Sequence, residues 1–294
     1  MAHIQGAIMS EVLSALSPEQ FPLIEDCFDE AFSDYALKGK PAHLWLRDRC
    51  VKNGVDLSAS SAAWDGDRMV GFTLVGLDED SQGLAAYDSG TGIVPSHRGR
   101  GLAGRLFDFL LPGLKSRGVS RFLLEVLQKN KAGVSAYEKS GFSVVRVFDC
   151  YSLDPKNFNQ AKFDSTAEIR TLDLGSALRL HRRAAFPMSW ENSANSILRI
   201  QGELQVLGIY VHGALVGELI YHLESQWIHS LFIEREHRRI GLGGMILFEL
   251  LKRAAAQSQP KAVNVDSRDT DFSSFLLKSG FMLFTRQFEM ERIL

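Results

Sequence analysis

Arg98-Gly99-Arg100-Gly101-Leu102-Ala103 is answered later in the chain by Arg238-Arg239-Ile240-Gly241-Leu242-Gly243. This doubled phrase constrains the fold more than any other feature. Each copy is followed at nearly the same distance by the same four residues, Lys139-Ser140-Gly141-Phe142 and Lys278-Ser279-Gly280-Phe281. With glycine near ~7% of residues, one Arg-x-x-Gly-x-small match arises by accident in roughly one chain in several of this length. Two copies in register, each closed by the same turn, do not. The second copy starts 140 positions after the first, too long a period for a solenoid, so duplicated globular domains are expected. A chain of 294 residues is long enough for both to bury a core of their own.

Strands and helices alternate in both halves, which predicts an α/β chain (α+β by some schemes). The first half, residues 9–153, opens with a short strand over Glu11 to Leu16 and a helix entered through Ser17-Pro18-Glu19. A second helical stretch covers Leu44 to Val51. Ser58 to Trp64 and Met69 to Leu77 form a hairpin across Asp65-Gly66-Asp67, and Gly83 to Val94 a further strand. A helix follows over Leu102 to Leu114, a strand over Arg121 to Leu127 and a helix over Ala132 to Lys139, stopped by Gly141. Ser143 to Ser152 completes the unit. Polar residues 154–165 read as a linker, and 166–294 repeat the order, with the matching helices at Ser176 to Ala185, Leu242 to Ala256 and Ser273 to Lys278. Met9 is a candidate natural start, with residues 1–8 a remnant.

The glycine loops carry the chemistry. In each half a strand leads through the loop into a helix, whose first turn has free amides and a partial positive charge from aligned peptide dipoles. Glycines at 99, 101 and 104 let a diphosphate approach the backbone, and Arg98 and Arg100 add mobile positive charge. The alternative for one copy is a turn that merely packs a helix on a sheet; the duplication weakens it.

Strand, Arg-x-x-Gly-x-Ala, helix, then Leu124-Glu125-Val126, Asn130, Ala136-Tyr137-Glu138 and Gly141-Phe142 together resemble the GNAT superfamily of acetyl-CoA-dependent N-acetyltransferases. The resemblance covers the core of both halves, a tandem, mycothiol-synthase-like arrangement. It implies, for each half, a mixed, mostly antiparallel sheet flanked by helices. It implies an acyltransferase using acetyl-CoA or another short acyl-CoA, without a metal. It places the coenzyme on Thr91, Gly92, Ile93, Arg98, Gly99, Arg100, Gly101, Leu102, Ala103, Gly104 and Asn130. The matching set in the second half is Leu231, Phe232, Ile233, Arg238, Arg239, Ile240, Gly241, Leu242, Gly243 and Gly244. The Ile93 amide would face the thioester carbonyl, a donor of a kind worth about 10²–10³ in rate.

Acetyl transfer requires an ammonium to lose a proton before attack and a thiolate to be stabilised afterwards. Glu125, a carboxylate among apolar residues of a strand, needs a partner or a role, and the resemblance makes it the base, acting through water. Tyr137 is implied as the acid. A free phenol titrates ~1.5 units above a free thiol, ~2 kcal/mol uphill, so stabilising the thiolate by a hydrogen bond is as good a description of that role. Against these roles stand a surface glutamate, an aromatic filling a helix–sheet interface and, for Asn130, a simple turn residue. Asp88 is a second candidate base. Phe28, Phe32, Asp34 and Tyr35 fall where the family's first helices line the acceptor pocket, although a core stripe explains the two phenylalanines equally well.

The second half acts as an internal control. Counted from Gly280 as from Gly141, Glu125 becomes Asn264, Tyr137 becomes Leu276 and Asn130 becomes Asp269. Catalysis is therefore assigned to the first half, and a structural or coenzyme-binding role to the second. His229 reads as a hydrogen-bonded, half-buried histidine more readily than as a base, and His97 and His237 abut the loops.

Net charge of −2 gives no footing for nucleic acid, which also disfavours aminoacyl transfer from charged tRNA. The alternative is a non-catalytic acyl-CoA sensor. Three separated cysteines, Cys27, Cys50 and Cys150, favour a reducing, cytoplasmic setting, and no apolar run reaches the ~20 residues of a membrane helix. The expected partners are a small-molecule or peptide amine acceptor and, at most, a second copy of the chain.

Overall fold

Ser17 opens the first helical stretch through reciprocal capping: its backbone amide donates to Gln20 Oε1 at 2.9 Å. The computed structural model describes residues 11–34, 43–80, 82–159, 166–253 and 259–294. Tyr35, residues 1–8 with Met9, and the second half of the expected linker, 160–165, lie outside them. Strand β1 (Val12–Ala15) leads through a short 3-10 turn into α1 (Phe21–Ala31), followed by α2 (His43–Asn53). α1 buries Ile24, Cys27, Phe28 and Ala31, spaced by three and four residues as one apolar helix face requires. Then come β2 (Ser61–Asp65), β3 (Arg68–Asp80), β4 (Gly83–Ile93), α3 (Leu102–Ser116), β5 (Arg121–Leu127), α4 (Lys131–Lys139) and β6 (Ser143–Ser152). Ser58 and Ala59, expected in β2, instead form a 3-10 turn capped by Asp56.

The second half contributes β7 (Ala167–Thr171), α5 (Leu174–His181), α6 (Ala194–Arg199), β8 (Leu204–Val211), β9 (Ala214–His222), β10 (Trp227–Ile233), α7 (Leu242–Arg253), β11 (Lys261–Asp266), α8 (Thr270–Lys278) and β12 (Met282–Ile293). The helix expected from Ser176 starts two residues earlier, because Asp173 caps it by accepting from the Ser176 amide at 2.8 Å. It also ends sooner, at His181. Among the described residues no helix is long and apolar enough to cross a membrane.

The chain forms two compact units, but they do not follow the expected boundary at residue 153. The first comprises residues 1–126, 130–144 and 290–294; the second comprises 127–129 and 145–289. The first has strand order β1-β2-β3-β4-β5, with the end of β12 beside β5: the Leu294 amide donates to the Ser120 carbonyl at 2.9 Å. The second has the order β6-β11-β10-β9-β8-β7, with β6 antiparallel to β11 (Ala262 opposite Tyr151, Asp266 opposite Phe148). β6 thus belongs mostly to the second unit rather than completing the first. The two halves end in similar strands, and backbone donors and acceptors are alike in all strands. Local pattern therefore does not specify which sheet a terminal strand joins.

The first core gathers Ile24, Phe28, Leu46, Phe72, Leu74 and Leu106 around the sheet. The second has one cluster around Leu207, Leu219, Ile246 and Leu250, and another, under α5 and α6, around Leu178, Ile197 and Ile220. Full burial of such a side chain is worth about 1.5–3 kcal/mol.

Candidate active site

In the first unit the site is made by two irregularities of β4. Leu74 pairs with Gly90 but Val75 with Asp88, so Ser89 is an extra residue and β4 bulges there. α2 secures the bulge: Arg49 Nε donates to the Ser89 carbonyl at 2.8 Å, and Asn53 Nδ2 to Ser89 Oγ at 2.9 Å. On the other edge, β4 runs parallel to β5 only from Ala85–Arg121 to Asp88–Leu124. Beyond that rung the two strands part, and Ser89–Ile93 faces the split from one side while Glu125 begins the other.

After β4 the chain turns through Pro95–His97 into the glycine loop. Gly99 and Gly101 have φ of 75° and 74°, the left-handed region that suits glycine, and a Cβ on either would meet nothing within 4 Å. Conformation, not crowding, therefore requires glycine, and the space over the loop is open. α3 starts at Leu102 with Gly101 as its cap residue and no side-chain cap. The first-turn amides of Leu102, Ala103 and Gly104 have no acceptor within the helix, so an anion fits there. Gly92 is glycine for a different reason: a Cβ would stand 2.7 Å from the Phe72 ring.

The loop arginines are less mobile than expected. Arg98 Nη1 and Nη2 donate to the Asp34 carboxylate at 2.5 and 2.9 Å, Nη2 also to the Ala31 carbonyl at 2.6 Å, and Nε to the Ile93 carbonyl at 3.1 Å. It pins the end of α1 to the end of β4. Arg100 Nη2 donates to the Ser96 carbonyl at 2.9 Å. Backbone amides, more than these side chains, are what the loop offers a ligand. His97 is buried, with Nε2 3.3 Å from Asp65.

Glu125 is half-buried immediately past the last β4–β5 rung, with its Oε1 shielded from solvent. Tyr137 reaches the same split from α4. Its ring lies 5.9 Å from both Phe107 and Phe142, and its hydroxyl donates to Asp88 Oδ2 at 3.2 Å. Asp88 is 5% exposed. Its Oδ1 accepts from the Gly90 amide at 2.9 Å, and Oδ2 lies 2.9 Å from Thr91 Oγ1, itself 3.0 Å from Thr73 Oγ1. Burial pushes the Asp88 carboxyl up to about 6, opposed by the hydrogen bonds of Thr91, Tyr137 and Gly90 and by the charge of Arg49. Asn130 caps α4, accepting from the Gly133 amide at 3.0 Å, and its counterpart Asp269 caps α8 in the same way at 3.0 Å. Phe28 packs against Phe32, Trp45 and Phe72 at 4.5, 5.2 and 5.8 Å, an aromatic wall under α1 and α2.

The second unit keeps the frame. β10 bulges at His229, and its parallel ladder with β11 has one rung, Trp227–Lys261. Leu231, Phe232 and Ile233 follow; the Ile233 carbonyl accepts from Arg238 Nε at 2.8 Å, as that of Ile93 does from Arg98. Gly241 has φ of 91°, and Arg239, where the first unit has Gly99, has φ of 66°. Ile240 is exposed, Leu242 and Gly244 are buried, and a Cβ on Gly243 would stand 2.8 Å from the Phe275 ring. The chemistry differs. Asn264 is buried and accepts from Gln287 Nε2 at 2.6 Å, and Leu276 is wholly in the core. His229 Nδ1 lies 3.0 Å from Asn192 Oδ1 and its ring stacks on Trp227 at 5.4 Å, consistent with a buried, hydrogen-bonded histidine.

Sequence reading missed a buried polar cluster on β9, β10 and α5. Ser230 Oγ donates to Glu218 Oε1 and lies 3.0 Å from His181 Nδ1. Burial pushes the Glu218 carboxyl up to about 8 and the His181 imidazole down to about 4. Glu218 carries the same signal that flagged Glu125, a carboxylate inside an apolar strand, but in the half read as inactive.

The first unit thus has a half-open sheet whose bulged strand leads through left-handed turns into a helix without a side-chain cap. Residues 13–142 match the acetyltransferase (GNAT) family and residues 183–294 the acetyltransferase (GNAT) domain, so the chain belongs to the GNAT acetyltransferases and carries two such domains in tandem. It is 34% identical over 116 residues to a mycothiol acetyltransferase of Geodermatophilus obscurus. That match takes in 38% of this chain and 38% of that protein, well under half its length. It is 30% identical over 119 residues to N-alpha-acetyltransferase 30 of Schizosaccharomyces pombe, covering 34% of this chain and 79% of that protein. In fold it resembles the tandem GNAT protein from the clavulanic acid biosynthesis pathway, with a TM-score of 0.72 at 13% identity over 97% of each chain. A GCN5-related N-acetyltransferase from Sphaerobacter thermophilus gives a TM-score of 0.71 at 15% identity, over 96% of this chain and 95% of that one.

Proposed function

We propose that the chain is an N-acetyltransferase that moves an acetyl group from acetyl-CoA to a primary amine, with the reaction carried out in the first unit. The observation that carries this reading is the parting of β4 and β5 after Asp88 and Leu124, with Glu125 next on one strand and Tyr137 reaching in from α4. Coenzyme phosphates are suited to the amides of Gly101–Gly104, and the pantetheine arm to the backbone of Thr91–Ile93. Glu125 draws the ammonium proton away through water, and Tyr137 supplies a hydrogen bond or a proton to the departing sulfur. The acceptor amine belongs to a small molecule or a peptide and enters beside α1 and α2, where Phe32 and Trp45 are half-buried. Arg98, paired with Asp34, also supports the loop, and Asn130 also caps α4, beside the coenzyme contacts proposed for them. The second unit, with Asn264 and Leu276 in place of the reactive pair, binds the coenzyme without turning it over.

Acetyl-CoA turnover measured against a panel of small-molecule and peptide amines tests this. Glu125→Gln and Tyr137→Phe should each lower kcat by about 10²-fold or more while acetyl-CoA binding by calorimetry persists. Full activity in both variants refutes the assignment, and binding without turnover in the parent supports a sensor instead.

A further inference from the structure

The Tyr137 hydroxyl has one hydrogen, and the structure directs it at Asp88 Oδ2, 3.2 Å away. A phenol whose hydrogen is held by a carboxylate does not offer it to a sulfur atom. The ring is packed against Phe107 and Phe142, each 5.9 Å away, so the phenol is held in place beside Asp88. We propose that Asp88 controls the proton of Tyr137: as a carboxylate it holds the phenol hydrogen, and once protonated it releases that hydrogen towards the leaving sulfur and replaces it from its own carboxyl group.

This rests on the acetyltransferase reading and adds a positioning residue to it. The ammonium gives one proton to Glu125 through water; the amine nitrogen then bonds to the acetyl carbon as the carbon–sulfur bond breaks, and it loses a second proton to solvent by the same route. The sulfur takes the hydrogen of Tyr137, the phenol oxygen takes the hydrogen of Asp88, and Asp88 is left as a carboxylate that regains a proton from solvent. Ammonium and thioester thus become amide, thiol and one released proton.

The surroundings of Asp88 suit a group that exchanges its proton. It is 5% exposed, on the last rung before the split, and burial lifts its ionisation to about pH 6. The groups facing it are Tyr137 from α4, Thr91 and the Gly90 amide from its own strand, and the positive charge of Arg49 from α2. Thr73 on β3 reaches it through Thr91, and Glu125 follows its register partner Leu124 on β5. In the second unit Ile228 and Leu276 occupy the two places, so carboxylate and phenol are lost together.

The full chain labelled with ¹³C at the tyrosine ring carbon bearing oxygen tests the pairing without reference to turnover. The Tyr137 resonance, identified by its loss in Tyr137→Phe, should step as pH crosses about 6. The step should vanish in Asp88→Asn, which keeps the shape, and persist in Glu125→Gln. In kinetics, Asp88→Asn should lower kcat by about tenfold to a hundredfold with an unchanged KM for acetyl-CoA, and should remove a decline in rate on the alkaline side of the wild-type profile. No step in the wild type, a step that survives Asp88→Asn, or an unchanged pH profile overturns the proposal. A protein that shows the step yet acetylates no amine overturns the acetyltransferase reading instead.

Discussion

Replacing Glu218 by glutamine should change how stability depends on pH, by an amount set by its surroundings. The carboxyl is wholly buried between β9, β10 and α5, and burial raises it from 4.5 to about 8, with the Ser230 hydroxyl opposing. In the unfolded chain the same group ionises near its ordinary value. Between those limits the unfolded state releases a proton that the folded state keeps, so folding stability falls as pH rises, by ~1.4 kcal/mol per unit. His181, in the same cluster, works in the opposite sense. Its imidazole is held down from 6.5 to about 4, so between those values the unfolded chain takes up a proton that the folded one refuses, and stability rises with pH. The two effects nearly cancel between pH 4.5 and 6.5. From pH 6.5 to 8 the Glu218 effect stands alone and amounts to ~2 kcal/mol.

Urea unfolding of the parent and of Glu218→Gln at intervals from pH 6 to 8.5 measures this directly. The variant's stability relative to the parent should climb by ~2 kcal/mol across pH 6.5 to 8 and then level off. A new amide at the buried Oε2 position adds a constant penalty of about 1–3 kcal/mol, which displaces the difference curve without tilting it. A difference that does not vary with pH would show that Glu218 is already ionised in the folded protein, and the reasoning would fail. The outcome bears on function too, because a carboxyl that keeps its proton at neutral pH cannot serve as a base in the second unit.

Two further perturbations test the frame of the first site. Gly99→Ala places a side chain at φ of 75°, a conformation that opposes it by about 1–2 kcal/mol, so acetyl-CoA affinity in calorimetry should weaken by roughly 5- to 30-fold; unchanged affinity would show that the loop tolerates another shape. Gly92→Ala sets a methyl group 2.7 Å from the Phe72 ring and should lower stability by about 1–3 kcal/mol in thermal or urea unfolding, whereas an unchanged midpoint would mean that Phe72 moves aside freely.

Much of this molecule was legible in its sequence because the relevant physics is local. The β2–β3 hairpin follows from Asp65-Gly66-Asp67, with Gly66 at φ of 60°, and the helix stops follow from Gly141 and Gly280 at φ of 84° and 97°. The glycine loops were readable for the same reason. What sequence did not show depends on register between distant segments. One extra residue in β4 decides how Asp88 stands relative to Tyr137, 49 positions away, and nothing in the local pattern of either announces that bond. Nor does the basic motif around Arg98 announce its pairing with Asp34, 64 positions earlier. Which unit each terminal strand joins was hidden likewise, since β6 and β12 both follow a Ser-Gly-Phe turn and their partners are chosen far along the chain.

The two units can be weighed against one another through backbone conformation. Outside glycine, only His212, Gln226, Arg239 and Asn264 have positive φ among the described residues, and two of these sit where the first unit has site residues. They mean different things. Arg239 at φ of 66° reproduces the shape of Gly99 with a residue unsuited to it, at a cost of about 1–2 kcal/mol that an extended turn would avoid. Asn264 at φ of 59° departs from its counterpart: Glu125 lies in a regular strand, whereas Asn264 interrupts the pairing between Ala262 and Val265 and turns its side chain to Gln287. The second unit therefore holds the loop geometry against strain, while the position matching the proposed base is a structural joint. Strain kept at the glycine loop, together with rearrangement at the position proposed for the base, is the ground for the proposal that this unit grips a coenzyme rather than serving only as scaffold.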